Sequence, residues 1–492
     1  MTRRAFLGVD IGTSSSKGVL VDETGRVLAS AAREHEVSRP RPGHVEMDGE
    51  LWWTEFRELA QELTGVSGVE VAAVGVSGMG PCVLVTDETG TPLRPAILYG
   101  VDTRAVAQIE RLTEELGGPR AILDRCGSVL TTQAVGPKLR WLAEHEPETW
   151  ARARRLFMPA SWLGYRLTGA YTLDHHSASQ CTPLFDIHGL AWHRPWSDLV
   201  APSLELPRLA WADEVAGVTR EPVAGIPAGV PVVTGSIDAW TEAVSVDAQN
   251  PGDLMLMYGT TMFLVATVDR PLTTPSMWGT VGAFRGTRNL AGGMATSGAV
   301  TGWLRELVGA PDYPTLLAEA AASGPGARGL LMLPYFAGER TPIMDPDARG
   351  VVAGLTLSHT RGDLYRAALE ATALGVRHNV ETLRAAGADV TNVVAVGGGT
   401  QGGLWTRIVS DVTGLTQVLP TTTIGASYGA GYLAARTVVA ADIAEWNPPV
   451  GRIEPDPALR TNYDELYALY RELYTATRPV AHTLAARQRH LP

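Results

Sequence analysis

Two short runs of small and hydroxyl-bearing residues in this sequence are suited to holding phosphate. The first is Gly12-Thr13-Ser14-Ser15-Ser16-Lys17, which follows Asp10, and the second is Gly259-Thr260-Thr261. A turn built from small residues leaves several backbone N–H groups pointing one way, and such a nest binds phosphate oxygens. The serine and threonine hydroxyls add donors, and Lys17 adds positive charge. Either run alone is also typical of an ordinary hairpin, so the prediction depends on finding the two as a pair.

Two aspartates are placed where they could act on a phosphoryl group and its acceptor. Asp238 follows a short apolar stretch and opens a helical pattern, Ser236-Ile237-Asp238-Ala239-Trp240. The dipole at a helix N-terminus favours an ionised carboxylate, which can accept the proton of an alcohol whose oxygen attacks phosphorus. Asp10 ends a strand beside the first turn and could hold Mg²⁺ directly or through water. Helix capping or a simple turn is the structural alternative for each.

A glycine-rich segment late in the chain, Gly397-Gly398-Gly399-Thr400-Gln401-Gly402, has the spacing of a dinucleotide-binding turn. That function requires an acidic residue roughly 20 positions later to hold a ribose. The next predicted strand ends instead in Pro420-Thr421-Thr422-Thr423. We therefore interpret the segment as a loop that packs against an adenosine or an α-phosphate, with a tight strand-to-helix turn as the alternative.

One further segment concentrates residue types that bind metals: His175, His176, Cys181, Asp186, His188 and His193. The spacing matches no standard zinc site. The glycine, proline and tryptophan residues around it are typical of a surface excursion. A metal site is therefore the weaker of the two interpretations for this segment.

The elements that must position these residues form a mixed α and β pattern. Strands are predicted at 6–9, 18–21, 71–76, 232–234, 254–258, 262–268 and 393–396, and helices at 51–64, 363–384 and 463–487. In each half of the chain an apolar strand enters a Gly-Thr-Ser/Thr turn, and a second strand follows. This repeat predicts two similar α/β domains with a boundary near 246–251.

Composition narrows the function classes. The 492 residues imply roughly two to four domains. Lys and Arg total 41 against 52 Asp and Glu, and this net charge of −11 disfavours general nucleic-acid binding. Three cysteines are too few for a disulfide framework and favour a reducing compartment. No signal peptide or long apolar run is found, so we expect a cytoplasmic protein without a membrane span.

Three longer stretches resemble the FGGY family of carbohydrate kinases, in the fold group shared by hexokinase, actin and Hsp70. Residues 350–370 fit the family's C-terminal signature, 137–142 fit the core of its N-terminal signature, and 333–342 resemble the matching stretch of xylulose kinases. The resemblance implies two ribonuclease-H-like domains of the actin/hexokinase type that face a central cleft. It places the sugar and the catalytic aspartate in residues 1–246 and ATP in residues 247–492.

The resemblance also implies a role for each candidate residue, with ATP and Mg²⁺ as cofactors. The first phosphate motif falls on Asp10, Gly12, Thr13, Ser14 and Lys17, the second on Gly259, Thr260 and Thr261, and the adenosine side on Gly298, Gly398 and Gly399. The catalytic aspartate falls on Asp238. Ile237 precedes it, where the family usually has glycine.

The sugar side departs further from the family pattern. Met79-Gly80-Pro81 stands where xylulose kinases carry Gln-Met-His, at positions that contact the sugar in the family. Asp102 is retained as a candidate hydroxyl acceptor, but Gly100 occupies the place of the family's tryptophan. A pocket that loses polar partners for hydroxyls should change its specificity.

The sequence thus predicts ATP-dependent phosphorylation of a sugar hydroxyl, with a ketopentose such as D-xylulose as the nearest substrate. Other ketoses or polyols, such as ribulose, a tetrulose or a signalling sugar, are alternatives. From other classes, an actin-like interaction protein would hydrolyse ATP regardless of any sugar, and a degenerate regulatory protein would bind sugar without phosphorylating it. The expected partner is a small sugar or polyol, with neither nucleic acid nor membrane, and a homodimer is left open.

Overall fold

The computed structural model describes residues 3–489. The chain divides into two compact units. The first comprises the chain up to Asn250 together with Asp269–Asn289 and Ile424–Pro448. The second comprises Pro251–Val268, Leu290–Thr423 and the chain from Pro449 onward. The assignment of the sugar to residues 1–246 and of ATP to 247–492 stays a prediction.

The elements before Pro251 are, in chain order, β1 (Arg3–Ile11), β2 (Ser15–Asp22), β3 (Val27–Glu34), β4 (Glu46–Met47), α1 (Gly49–Leu63), β5 (Val69–Gly78), β6 (Leu84–Thr86), β7 (Ala96–Ile97), α2 (Val106–Glu115), α3 (Pro119–Cys126), α4 (Val135–His145), α5 (Pro147–Arg152), β8 (Arg155–Phe157), α6 (Pro159–Thr168), β9 (Thr172–Asp174), α7 (His175–Ser179), β10 (Phe185–Asp186), β11 (Ala191–Trp192), α8 (Arg194–Val200), β12 (Arg208–Ala210), β13 (Val215–Val218), β14 (Pro231–Val233), β15 (Ser236–Ile237) and α9 (Asp238–Ser245).

The elements that follow are β16 (Asp253–Tyr258), β17 (Met262–Val268), β18 (Trp278–Val281), β19 (Arg288–Met294), α10 (Gly298–Leu307), α11 (Tyr313–Ser323), β20 (Leu331–Leu333), β21 (Val351–Ala353), α12 (Arg361–Ala385), β22 (Asn392–Val396), α13 (Leu404–Thr413), β23 (Gln417–Pro420), α14 (Ala426–Arg436), α15 (Ile443–Trp446), β24 (Pro449–Ile453) and α16 (Arg460–Gln488), with short 3₁₀ turns at Ala327–Gly329, Gly398–Thr400 and Pro457–Leu459. The predicted helices at 51–64, 363–384 and 463–487 are confirmed as α1, α12 and α16 with small shifts of their ends.

The sheet of the first unit runs in the order β13-β14-β5-β1-β2-β3, and β15 also pairs with β5. Strand β1 is antiparallel to β2 and parallel to β5. Both faces of this sheet are covered, as expected where strands read as near-continuous apolar runs. One face packs against α1 and α6, and the other packs against α9 and α14.

The second unit repeats the same three-strand arrangement. Strand β16 is antiparallel to β17 and parallel to β22, and β23 and β24 extend the sheet beyond β22. The predicted repeat of strand, Gly-Thr turn and strand is therefore confirmed as two hairpins, β1–β2 and β16–β17, each beside a third, parallel strand. No helix in the described part of the chain is apolar over a stretch long enough to cross a bilayer.

Helix α14 lies unusually close to the first sheet because two strand positions lack side chains. A Cβ at Gly8 would lie 2.0 Å from the Ser427 carbonyl oxygen, and a Cβ at Gly75 would lie 1.9 Å from the Ala430 carbonyl oxygen. Both are backbone atoms of the helix, so they cannot move aside as a flexible side chain can. The close approach therefore requires glycine at both strand positions.

We predict that Gly75→Ala lowers the free energy of unfolding by about 3 kcal/mol or more, because the added methyl would push α14 away from the sheet. Gly164→Ala in α6 is the matched control, since nothing lies within 4 Å of its added Cβ. That control should be neutral or stabilising by up to about 1 kcal/mol through helix propensity. Urea unfolding measures both, and equal effects would show that α14 does not depend on the glycine contact.

Candidate active site

The candidate catalytic residues of the first unit meet at one end of its sheet. Asp10 is the penultimate residue of β1, and its register partner on the parallel strand β5 is Ser77. Ser77 is also the register partner of Ser236 on β15, which enters Asp238 two residues later. Because the carboxyl ends of parallel strands share one edge of a sheet, Asp10, Met79 and Asp238 come together there. Ligands bind at this edge in open α/β sheets.

Asp238 is the first residue of α9, as the sequence predicts, and is partly buried. One carboxylate oxygen accepts a hydrogen bond from the backbone N–H of Ala239 at 2.7 Å. The sequence analysis expects the helix dipole to favour the ionised form of Asp238, but the buried surroundings of the carboxyl act in the opposite direction. Burial raises the pKa of Asp238 above its usual value despite the hydrogen bond. A carboxylate with a raised pKa is a stronger base once it is ionised.

The pKa of Asp10 is raised more than that of Asp238. Burial is the main cause that raises its pKa, followed by the negative charges of Asp238 and then Glu242. Lys17, its register partner on β2, is exposed and only partly offsets this effect. The Oδ1 atom of Asp10 is buried and has no hydrogen-bond partner. A buried carboxylate oxygen of this kind is a candidate ligand for a cation, although the Ser77 side chain partly offsets the rise in the pKa of Asp10.

Glu242 is a third carboxylate at this site, and the sequence analysis did not identify it. It lies four residues after Asp238 on α9, so both side chains project from one face of the helix. Burial, followed by the charge of Asp238, raises its pKa to about 7, while a backbone N–H from Ala426 opposes the shift. A Cβ at Gly425 would lie only 2.6 Å from a Glu242 oxygen. The spacing of Asp238 and Glu242 was the available signal.

The carboxylate oxygens at this edge suit a hard cation. Mg²⁺ is usually held by one or two carboxylates together with waters and substrate phosphates rather than by a full protein cage. Residues 3–489 contain no group of three or more His, Cys, Asp and Glu side chains arranged to hold a metal ion. The donor set and the orphaned Asp10 oxygen therefore fit Mg²⁺ bound together with a phosphorylated ligand.

The first phosphate turn is shorter than the sequence suggested. Gly12, Thr13 and Ser14 form the turn, and residues 15–17 already belong to β2. The hydroxyl of Ser16 is buried and donates to Glu55 at 2.5 Å, so the prediction that it adds a phosphate donor is wrong. The hydroxyl of Thr13 is bonded to the hydroxyl of Tyr99 at 2.8 Å. Strand alternation explains the correction, because Ser16 points to the opposite face from Ser15 and Lys17.

The segment Met79-Gly80-Pro81 follows β5 directly. The backbone N–H of Met79 donates to Ile11 at 2.8 Å, and its sulfur accepts from the Thr13 hydroxyl at 3.7 Å. A Cβ at Gly80 would lie 2.7 Å from the side chain of Ile237, which is itself buried. Ile237, unusual for the family, therefore fills the space beside Gly80. The result is an apolar surface next to Asp238.

Asp102 is committed to protein partners. Its carboxylate is fully buried, accepts the backbone N–H of Val45 at 2.6 Å, and forms a bidentate ion pair with Arg104, whose Nε donates to Oδ1 and whose Nη2 donates to Oδ2. No exposed acceptor remains for a sugar. We therefore assign Asp102 a positioning role in place of the predicted direct contact with a hydroxyl.

Lys138, within the N-terminal signature, joins the backbone segments that contain Tyr99 and Thr132. Its ammonium group is buried and donates to the backbone carbonyls of Thr132 at 2.6 Å and Tyr99 at 3.3 Å. Burial lowers its pKa to about 8. Lys138 thus fixes the backbone of Tyr99, whose hydroxyl reaches Thr13. Sequence matching marked the lysine but could not show which loops it joins.

The second unit contains a pocket of about 620 Å³. Its lining combines aromatic and aliphatic side chains with glycine backbone: Tyr258, Gly259, Thr260, Gly298, Thr301, Tyr313, Pro314, Leu317, Tyr365, Leu369, Gly398, Gly399, Gln401, Gly402 and Trp405. This size and this character are typical of a site for a flat, cofactor-sized ligand. The structure brings the predicted adenosine-side residues Gly298, Gly398 and Gly399 to one pocket with Gly259 and Thr260 of the second turn.

The two glycine-rich parts of this pocket are closely packed. Gly397 has a φ of +92°, which favours glycine, and a Cβ there would lie 2.5 Å from the Tyr258 carbonyl oxygen. The second turn, residues 259–261, is closed by a hydrogen bond from the Gly259 N–H to the Thr261 carbonyl at 3.1 Å, and Thr260 and Thr261 are exposed. Their hydroxyls are therefore accessible to a ligand.

The histidine-rich segment 175–193 has structural roles. His176 stacks on Trp240 with ring centroids 3.8 Å apart and bonds the carbonyl of Val281. Burial lowers the pKa of His176 to about 3, so it is neutral. Asp186 pairs with Arg125, and His188 bonds the carbonyl of Asp124. These contacts favour the structural interpretation over a metal site.

We predict that Asp238→Asn stabilises the ligand-free, metal-free protein at pH 8 but not near pH 4. A carboxyl with a raised folded-state pKa stays protonated in the folded chain while it ionises in the unfolded chain. The unfolded state then binds fewer protons, so stability falls as pH rises from about 4 through the folded pKa. The asparagine variant lacks this loss.

Thermal unfolding across pH 4–8 measures the effect, with the exposed residue Asp198 changed to asparagine as the control. The difference in melting temperature between Asp238→Asn and the wild type should grow with pH, and the control should show no such trend. A difference independent of pH would mean that Asp238 does not carry the predicted electrostatic cost.

Comparison with known proteins identifies the family of this chain. The models of the N-terminal and C-terminal domains of the FGGY family of carbohydrate kinases match residues 5–245 and 254–438. The chain is 34% identical to a glycerol kinase of Nocardia farcinica over 87% of its length and 90% of that protein. It is 30% identical to a xylulose kinase of Escherichia coli over 83% of its length and 85% of that protein.

A solved structure of a xylulose kinase from Rhodospirillum rubrum superposes with a TM-score of 0.91 at 32% identity, covering 97% of this chain and 100% of that one. The chain belongs to the FGGY family of carbohydrate kinases. It has the family's two-domain, mixed α/β fold of the actin/hexokinase type, and it is a phosphotransferase. Kinases of this family use ATP. An actin-like interaction protein is therefore no longer an alternative.

Proposed function

We propose that this kinase transfers the γ-phosphoryl group of ATP to a hydroxyl of a ketopentose, with D-xylulose as the leading substrate. The observation that carries the proposal is the partly buried Asp238 at the carboxyl ends of β1, β5 and β15, beside the turn Gly12–Ser14. Its raised pKa makes it a base suited to near-neutral pH.

In the proposed reaction Asp238 accepts the proton of the acceptor hydroxyl, and that oxygen forms a bond to the γ-phosphorus as the bond to the β–γ bridging oxygen breaks. ADP leaves, and the proton remains on Asp238 until it passes to solvent. Bound Mg²⁺ supplies positive charge that offsets the negative charge of the phosphates, and Asp10 and Glu242 are the residues that would hold it. The protein contributes mainly position and electrostatics.

The nucleotide is proposed to bind in the pocket of the second unit. The aromatic side chains of Tyr258, Tyr365 and Trp405 and the glycines at 398–399 provide surfaces for a flat base and its ribose. The exposed hydroxyls of Thr260 and Thr261 and the backbone of their turn would contact phosphate oxygens.

The acceptor is proposed to lie beside Asp238, close to the 79–81 segment and to the hydroxyl pair of Thr13 and Tyr99, which contact each other. Relatives named xylulose kinase support a ketopentose. A polyol is the second candidate, favoured by the relatives named glycerol kinase and by the loss of polar side chains at 79–81.

We predict that Asp238→Asn lowers kcat by about 10²- to 10⁴-fold while the affinity for ATP stays within about twofold, because only the base is lost. A coupled assay for ADP and a fluorescence titration with a non-hydrolysable ATP analogue measure the two quantities. Asp198→Asn serves again as the exposed control. A fully active Asp238→Asn variant would remove Asp238 from its assigned role.

We predict that a substrate panel of D-xylulose, ribulose, a tetrulose and glycerol gives its highest kcat/KM with a five-carbon ketose. ADP release that depends on the added alcohol is the readout, with ATP alone as the blank. A preference for glycerol by tenfold or more would replace the ketopentose with a polyol, and ADP release equal to the blank with every compound would contradict both.

A further inference from the structure

Glu339 is a buried carboxylate of the second unit that the proposed reaction does not use. It lies in Gly338-Glu339-Arg340-Thr341, the stretch between β20 and β21 that resembles xylulose kinases, and is 5% exposed. Its Oε1 accepts two backbone N–H groups, from Ala295 at 2.6 Å and from Arg340 at 2.7 Å. Burial raises its pKa to about 8 despite these bonds. Burying a carboxyl group is energetically unfavourable, so we expect Glu339 to have a role.

The two residues after Glu339 form hydrogen bonds to the segment that contains Ala295, at the end of β19. Arg340 donates to the Met294 carbonyl at 2.8 Å. The hydroxyl of Thr341 accepts the N–H of Gly293 at 2.7 Å, and the N–H of Thr341 donates to the Gly293 carbonyl at 3.2 Å. Residues 339–341 are thus hydrogen-bonded to residues 293–295, where β19 ends. Glu339 makes the contact nearest to the start of α10.

The next residues along the chain hold the second phosphate turn. The N–H groups of Ser297 and Ala299 both donate to the Thr260 carbonyl, at 3.1 and 3.0 Å. The N–H of Gly298 donates to the Gly259 carbonyl at 3.0 Å, which also accepts the Ser297 hydroxyl at 3.0 Å. A Cβ at Gly298 would lie 2.6 Å from that Gly259 oxygen. Four hydrogen bonds therefore join residues 297–299 to the turn.

We propose that Glu339 is a positioning residue for nucleotide phosphate, which it serves by fixing Ala295 and thereby the contact of residues 297–299 with the Gly259–Thr261 turn. This inference rests on the proposed function, in which that turn binds ATP phosphates. Glu339 is not among the residues that line the pocket proposed for the nucleotide. Its effect should therefore appear in the binding of phosphates and not in the binding of the base or the sugar.

Three variants test the proposal. Glu339→Ala removes the acceptor and leaves the partly buried Ala295 N–H without its partner. Glu339→Gln keeps the Oε1 acceptor and imitates the protonated acid. Asp411→Ala is the matched control, because Asp411 is also a buried carboxylate of the second unit that accepts one backbone N–H, from Asp456 at 2.8 Å.

The dissociation constants of ADP and of adenosine, and the KM values of ATP and of the sugar, are measured for each variant. Glu339→Ala should weaken ADP binding and raise the KM of ATP by about tenfold, because the phosphate turn is then less well preorganised for its ligand. Adenosine affinity and the KM of the sugar should change by less than about twofold. Glu339→Gln and Asp411→Ala should match the wild type in all four quantities.

The outcomes separate the inference from the function on which it rests. A wild-type protein that forms no sugar phosphate from ATP defeats the proposed function, whatever the variants do. If the wild type is active, two results would overturn the inference and leave the proposed function intact. The first is that Glu339→Ala binds ADP as tightly as Asp411→Ala does. The second is that Glu339→Ala loses the same factor in affinity for adenosine as for ADP. Failure of Glu339→Gln to restore ADP binding overturns it as well. Should Glu339→Ala not fold, Glu339→Asp replaces it, since it withdraws the acceptor oxygen and is expected to lose ADP affinity in the same way.

Discussion

The crowding of three carboxylates in a partly dehydrated space is the interaction on which this site depends. Asp10, Asp238 and Glu242 are brought together by parallel strands and one helical turn, and burial raises the pKa of each. Lys17 is exposed and balances little of their charge. Negative charge of this density is unfavourable in the empty protein and becomes favourable only when protons or cations are bound. The same energetic cost is what makes Asp238 an effective base for an alcohol.

The strand arrangement explains how a largely apolar sheet carries the three carboxylates at one of its ends. In each unit a hairpin strand lies beside a parallel strand, so turns and strand ends collect at one edge. The first unit uses that edge for carboxylates and the Thr13–Tyr99 hydroxyl pair. The second uses its turn and the 397–402 loop to build a nucleotide-sized pocket. Supporting groups such as Lys138 and Glu339 lie one layer behind these surfaces and fix the backbone from which they are built.

Local patterns in the sequence were sufficient for much of this picture. Apolar runs and Gly-Thr turns predicted both hairpins, and the helix opening at Asp238 was found as expected. The errors arose where the outcome depends on distant residues. Ser16 bonds Glu55, Asp102 bonds Val45, and Glu242 contacts the start of α14, at sequence separations from 39 to about 184 residues. No local pattern predicts such partners, nor whether burial outweighs a helix dipole at Asp238.

The most direct test of the central electrostatic claim is a titration of the aspartate side-chain carboxyls by carbon-13 NMR in the metal-free protein. Asp10→Asn and Asp238→Asn variants would assign the two resonances. The account predicts that both carboxyls titrate well above the usual aspartate value of about 3.9 and that removing one lowers the midpoint of the other. Midpoints near 3.9 for both, unaffected by either substitution, would contradict the account.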